Sequence, residues 1–377
     1  MRVFLHAIFG QLLFNSYVFW KGYRALPPKK KYRIPFTIVF ALELSLYLIG
    51  FFFYKDIPDQ FLLPILMICN TWYIAVIYVA SGLIIIDFLR VTNRIRPWFP
   101  SFINNHPQKV KNIFFGIFLT GISILMIYGN YLVNNPVVKH VHIHIPKKAA
   151  GREKLTIAMM SDMHLGETIG KKHLQHYVKL CNEQQPDLII IPGDVIDYES
   201  RFAEQMQMEK EFQQLKASLG VYITLGNHEY RANKNAKMRW FEKTGCIVLV
   251  DSVAMPDSGF YLIGRDDAIN SERSSLHSLM GDLAPEKPLI VIDHRPDFIN
   301  EIVMNKADLG LHGHTHNGQF WPNSLRLKLF SICSYGYYKK GNAQFYVSSG
   351  IGCAGPPFRV GTQSELVILH ITFSEST

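Results

Sequence analysis

The chain has 377 residues, 48% of them hydrophobic and only 18% charged, which excludes a disordered chain and leads us to expect two structural regions. Its formal net charge of +9 is unevenly spread: residues 1–135 hold 13 Lys and Arg against 4 Asp and Glu, and the remainder holds equal numbers of each sign. A basic excess confined to the most apolar third fits a membrane anchor with basic loops, so a bilayer is the expected partner and nucleic acid is not.

Four apolar stretches come first, at about 3–20, 35–54, 61–88 and 113–133. Each approaches or exceeds the ~20 residues that a helix needs to cross a ~30 Å hydrocarbon layer. The connection after the first carries Lys21, Arg24, Lys29, Lys30, Lys31 and Arg33, and the one after the third carries Arg90, Arg94, Arg96, Lys109 and Lys111. The middle connection sets Lys55 against Asp56 and Asp59. Short basic loops stay in the cytoplasm, so the expectation is a multi-pass membrane region, 1–135, whose fourth span delivers the following chain to the extracytoplasmic side. A cleaved signal peptide fits residues 1–20 poorly, because only Arg2 precedes the apolar run and no small-residue cleavage site follows. A transport pathway calls for ionisable groups within the spans, and only Glu43 and Asp87 qualify.

Residues 136–153 contain the turn-forming IPKKAAG and read as a linker with a first strand. From there, apolar runs bounded by Gly, Asp or His alternate with polar helical stretches: LTIAMM, LIIIPG, VYITLG, then YLIGRDD, PLIVID, ADLGLHG, QFYVSSG and ELVILHITF. Buried strands alternating with helices make βαβ units. About nine strands, with helices weighted to the first half, predict an α/β domain over 154–373 built as two packed sheets flanked by helices.

Several strand ends carry groups that bind metals. They are Asp162 and His164, Asp194 and Asp197, Asn227 and His228, His294, and His314 with His316. Loops at the carboxyl ends of strands in an open α/β sheet face one crevice, so these groups should converge. Each motif alone is ordinary turn chemistry, but their ordered recurrence at successive strand ends is not. Carboxylate, imidazole and amide oxygen without thiolate select a borderline or hard divalent cation, such as Mn, Fe, Zn or Mg.

The series DxH, GDxxD, GNHE, H and GHTH resembles the calcineurin-like metallophosphoesterases, over about 154–372 and not over 1–135. Together with SDMHLG, GHTHNGQ and the tail SSGIGCAGPPFRVGTQSEL, it is similar to a bacterial, membrane-associated branch of phosphodiesterases. That branch includes the UDP-2,3-diacylglucosamine pyrophosphohydrolase type. The resemblance implies a β-sandwich of two mixed sheets and a centre of two divalent metal ions. Asp162, His164 and His316 would hold one ion, Asn227, His294 and His314 the other, and Asp194 would bridge them. It also implies hydrolysis of a phosphodiester, phosphomonoester or pyrophosphate by metal-bound hydroxide, with His228 protonating the leaving oxygen and Asp197 orienting that imidazole. The family's usual GHTHGGQ has Asn317 here in place of a glycine.

Tethering at a bilayer makes a lipid-linked or cell-envelope phosphate ester the favoured substrate. The lipid A precursor reading is the alternative, and a catalytically silent membrane receptor or scaffold is the rival of another class. Arg295 and Arg359 are candidates for binding a substrate phosphate, since a guanidinium meets two phosphate oxygens at once. Residues 319–341 mix Trp, Phe, Leu and Tyr with Arg326, Lys328, Lys339 and Lys340, so they read either as an interfacial segment or as a buried hairpin with a basic rim. His140, His142 and His144 share one face of a strand, as a metal site or a polar face. Glu229 reads as a support to the metals or a partner of Arg231. The five cysteines form no CxxC pair, and no disulfide is expected.

Overall fold

The computed structural model describes residues 2–374, with side chains from residue 8 onward. It divides into two compact units, Met1–Tyr128 and Gly129–Thr377.

The first unit is helical: α1 (Arg2–Ala25), α2 (Lys30–Phe52), α3 (Asp59–Ile95), the short α4 (Ser101–Asn105) and α5 (Pro107–Asn134), whose last turns belong to the second unit. Among the described residues, three helices are long and apolar enough to cross a membrane: α2, α3 and α5. Of the four expected spans, 35–54, 61–88 and 113–133 are thus matched, while the first, 3–20, lies partly outside the residues whose side chains are described. Gln11, Asn15, Lys21 and Arg24 dilute the apolar run of α1. The two ionisable groups of the apolar stretches have local partners. Glu43 accepts from Gln11 and from Asn15 (3.2 Å), and Asn15 in turn accepts from the indole of Trp72 (2.7 Å). Asp87 pairs with Lys21 and accepts from the Tyr17 hydroxyl at 2.8 Å.

The second unit contains β1 (Val137–Ile145), β2 (Lys154–Met159), α6 (Lys171–Asn182), β3 (Leu188–Pro192), α7 (Arg201–Gln205), α8 (Met208–Phe212), β4 (Val221–Thr224), α9 (Lys234–Thr244), β5 (Ile247–Leu249), β6 (Ser252–Ala254) and β7 (Tyr261–Gly264). It continues with α10 (Leu276–Met280), β8 (Leu289–Ile292), α11 (Ile299–Met304), β9 (Leu309–His312), α12 (Asn323–Phe330), β10 (Gly336–Lys340), β11 (Ala343–Val347) and β12 (Glu365–Phe373). They form two mixed six-stranded sheets, ordered β1-β12-β2-β3-β4-β5 and β10-β11-β9-β8-β7-β6.

Side-chain alternation separates the layers. In β2, Leu155, Ile157 and Met159 enter the core between the sheets, where Ile190, Ile292, Leu311 and Leu369 also lie. Ala158, Ile189 and Ile191 point the other way, into the layer of Leu174, Val178, Trp240 and Phe241 from α6 and α9. Ile263, Val291, Phe345 and Val347 back the second sheet onto Ile299 and Ile302 of α11. Helix α9 has clear boundaries. Asn233 caps it by accepting from Ala236 N at 3.0 Å, and Gly245 ends it at φ 75°, a conformation glycine adopts without a Cβ penalty.

Strands β2, β3 and β4 run parallel within the first sheet, and β7, β8 and β9 within the second. The loops after β2, β3, β4, β8 and β9 carry every residue singled out as a metal ligand.

Candidate metal centre

The backbone at these strand ends is unusual. Asp162 (φ 54°), His164 (48°), Asp194 (52°), His314 (69°) and His316 (50°) all occupy the left-handed region without being glycine. Such conformations cost about 1–3 kcal/mol each and persist only where the surroundings enforce them. Glycines supply the room. A Cβ on Gly226 would strike the Asp194 carboxylate, and one on Gly313 would strike Ser161 and Asp162.

The side chains gather into two adjoining groups. Asp162, His164 and His316 face one another, with His164 Nε2 3.0 Å from His316 Nε2 and Asp162 Oδ1 3.5 Å from that same nitrogen. Asp194, His294 and His314 form the second group. His294 Nε2 lies 3.2 Å from Asp194 Oδ2, 3.3 Å from His314 Nδ1 and 3.3 Å from Asn227 Oδ1. Asp194 Oδ2 is also 3.7 Å from His164 Nε2, so this carboxylate stands between the groups.

Hydrogen bonds fix several tautomers. His294 Nδ1 donates to the Pro192 carbonyl (2.7 Å) and His164 Nδ1 to Asp197 Oδ1 (3.1 Å), which leaves each Nε2 as a lone pair aimed inward. The same Asp197 oxygen accepts from His228 Nδ1 at 2.7 Å. His228 also comes close enough to His164 and Asp194 to complete a third ligating group with them. This donor set, with aligned imidazole lone pairs around a shared carboxylate, suits two divalent cations.

Charge follows the geometry. Burial favours the neutral form of Asp194, but the charges of His294 and His228 overturn it and hold the carboxyl well below its usual range. Burial raises Asp162, and the nearby Asp194 adds to the effect. Burial and the His294 charge push His314 down to about 3, and burial with His164 pushes His316 well below its ordinary value, so both imidazoles are neutral, as ligation requires. Burial opposes protonation of His294, yet Asp194 raises it to about 10, so a cation bound at its Nε2 would have to displace a proton and take over the pairing with Asp194.

Two further side chains support the centre, and of these the sequence pointed only to Glu229. The Glu229 carboxylate accepts four backbone N–H groups: Asp194 (2.9 Å), Val195 (2.9 Å), Ile196 (3.1 Å) and Gly226 (2.8 Å). It ties the loops after β3 and β4 together instead of pairing with Arg231. Lys237, fully buried on α9, donates to the carbonyls of Ile196 (3.3 Å), Asp197 (3.2 Å) and His228 (2.5 Å). Position 229 inside GNHE signalled some role, whereas no motif in the sequence singles out Lys237.

The two arginine candidates differ. Arg359 is fully buried, and its guanidinium donates to the carbonyls of Ser349 (2.6 Å), Gly352 (2.7 Å), Gly350 (3.2 Å) and His316 (3.4 Å). It therefore supports the His316 loop and is not available to a substrate phosphate. Arg295, part exposed, donates Nε to Asp267 Oδ2 at 3.0 Å, and its charge is felt by His314, whose protonation it opposes. His312 lies outside the cluster, donating to Asp293 O at 2.7 Å and stacking on Phe345. Asn317 holds φ 50°, which asparagine tolerates better than most residues, so it reproduces what a glycine would do there. His140 and His142 each stack on His370 across the paired strands β1 and β12, and none of them joins a ligating group among the described residues.

The family model described as Calcineurin-like phosphoesterase matches residues 155–318. An uncharacterized metallophosphoesterase of Campylobacter jejuni is 31% identical over 271 residues, covering 70% of this chain and 71% of its own. The chain belongs to the calcineurin-like metallophosphoesterases. A Danio rerio transmembrane protein with metallophosphoesterase domain is 26% identical across 96% of this chain and 87% of its own. An uncharacterized metallophosphoesterase of Helicobacter pylori is 25% identical across 96% of this chain and 95% of its own. The family comprises phosphoric ester hydrolases that work with two metal ions, and this chain is such an enzyme by class.

Proposed function

We propose that this chain is a membrane-anchored phosphoesterase that hydrolyses a phosphodiester, phosphomonoester or pyrophosphate bond in a lipid-linked or cell-envelope substrate outside the cytoplasm. The observation that carries the reading is the convergence of six donor residues around Asp194, with His164 and His294 oriented by Asp197 and the Pro192 carbonyl so that Nε2 faces inward. Asp162, His164 and His316 would hold one divalent cation, Asn227, His294 and His314 a second, and Asp194 both. When bound, the ions supply positive charge that polarises the phosphoryl oxygens and acidifies an attacking water.

The protein's own groups carry the remaining steps. His228 donates Nδ1–H to Asp197, which leaves Nε2 to hold a proton and pass it to the departing ester oxygen. Asp197 stabilises the charged imidazole while that proton is held. Arg295 would meet a phosphate oxygen at the edge of the site.

The side of the membrane follows from the last basic loop, 89–111, and from α5 after it, so it does not depend on whether α1 crosses. Nucleotide-linked lipid A precursors belong on the cytoplasmic face, which disfavours the UDP-2,3-diacylglucosamine pyrophosphohydrolase reading. A reporter fused after residue 377 tests this: activity in the cytoplasm would reverse the preference. A silent receptor should lack a donor, and none of the seven is missing. The decisive experiment incubates the Mn-loaded full chain with a lipid extract and follows by mass which phosphate esters disappear. Unchanged lipids, together with an intact bis(p-nitrophenyl) phosphate, would reject the proposal.

A further inference from the structure

Among the described residues from 129 onward, exposed large apolar side chains are scattered except in one place. Trp321, Leu325, Leu329, Phe330 and Ile332 follow one another along α12 and its flanks, with Leu329 78% and Phe330 83% exposed. A buried hairpin, the bland reading of this stretch, does not survive those exposures. Basic residues interleave, Arg326 and Lys328 on α12 and Lys339 and Lys340 on β10. No Asp or Glu occurs anywhere between Asp308 and Glu365. An apolar surface edged by cations, with no acid in the surrounding sequence, is complementary to an anionic bilayer.

The position of the segment supports the same partner. Trp321 N donates to Val360 O (2.8 Å), Arg359 N to Gly129 O (3.0 Å) and Asn130 Nδ2 to Pro357 O (2.9 Å). The start of the exposed segment, the loop 357–363 and the last turns of α5 are thus bonded to one another, and α5 is one of the three helices apolar enough to span a membrane.

The segment is also fastened to the metal centre at both ends. Asn323 Nδ2 donates to Gly318 O (3.2 Å), and Gly318 packs so closely that a Cβ there would lie 2.5 Å from Ser324 N. At the other end, Thr315 Oγ1 donates to Ser334 O at 2.6 Å. Residues 319–334 therefore hang from the loop that carries His314 and His316.

We infer that residues 321–332 lie in the interface of an anionic bilayer, apolar side chains among the acyl chains and the cations of Arg326 and Lys328 at the lipid phosphates. This placement holds the mouth of the metal centre at headgroup depth. The substrate it selects is a phosphoester whose acyl chains stay in the membrane during reaction. The placement rests on α5 spanning the bilayer, and the substrate class rests on the proposed hydrolysis.

The test uses the full chain in nanodiscs of phosphatidylcholine with phosphatidylglycerol. Among the five free cysteines only Cys246 is not buried, so a C246S background allows a nitroxide at L329C, F330C or, as a control, M255C. At 329 and 330, collisions with oxygen should exceed those with a water-soluble nickel chelate, and at 255 the order should reverse. Chelate dominance at all three positions, or label–label broadening from a second copy, would overturn the inference. The variant L329D/F330D should keep bis(p-nitrophenyl) phosphate turnover within about twofold and lose about tenfold or more on a lipid-borne phosphodiester in the same discs. Equal losses on both substrates would overturn the substrate class. A wild type that hydrolyses neither refutes the proposed function, while the label depth still decides the placement.

Discussion

On the floor of the centre, the Asp194 and Asn227 loops close onto one buried carboxylate, Glu229, which takes four backbone N–H groups at once. On the rim, the 314–316 loop gives a carboxylate a single backbone N–H, His314 N to Asp162 (3.0 and 3.1 Å). It rests on the Arg359 guanidinium and on the ends of the exposed segment 319–334. The floor is built from the interior of the domain, whereas the rim is coupled to whatever meets that segment. Rigid elements give precise geometry and loops give adaptable geometry, and this centre uses one of each.

The largest expected effect comes from the group between the two. His228→Ala should lower kcat on an alkyl phosphodiester by about 10²–10⁴-fold while metal content stays unchanged. The loss should shrink with a p-nitrophenyl leaving group, which needs no proton, and comparing the two esters checks it. Asp197→Asn comes next. One oxygen of that carboxylate serves both His164 and His228, so metal affinity should fall about 10–100-fold alongside kcat, as read by metal titration.

Smaller changes separate floor from rim. Glu229→Gln places an amide where only acceptors fit and should cost about 1–3 kcal/mol. The domain's Tm should then fall by about 2–4 °C for each kcal/mol, with both metal positions weakened. Arg359→Lys loses the fork that reaches Ser349, Gly350 and Gly352. It should weaken only the ion held with His316, and elemental analysis should show stoichiometry falling from two towards one. Equal loss of both ions would erase the distinction between floor and rim. The smallest effect is expected for Asn317→Gly, at most about 0.5 kcal/mol, because asparagine already accepts the left-handed backbone.

Residue types and order made much of this legible. Strand period and the Gly-Asp, Gly-Asn and Gly-His pairs located the parallel strands and the loops that follow them. The convergence of Asp162, Asp194, His294 and His316 was readable because open sheets gather their carboxyl ends. Support residues were harder to see. Lys237 lies on an amphipathic helix, and only its burial under the 196–197 carbonyls reveals its work. Arg359 looked like a phosphate ligand because sequence does not show which carbonyls surround a guanidinium. Apolar counting likewise gives no hint that Gln11 and Asn15 of the first helix hold Glu43 within the bundle.

Five of the donors stand on left-handed backbone that glycine alone adopts freely. Catalytic fitness and thermal endurance should therefore be opposed at these positions. Exchanging Asp162 or His316 for glycine would abolish ion capture yet release conformational tension, leaving an inert protein more resistant to heat than its metal-free parent. A selection for robustness alone would erode this centre first.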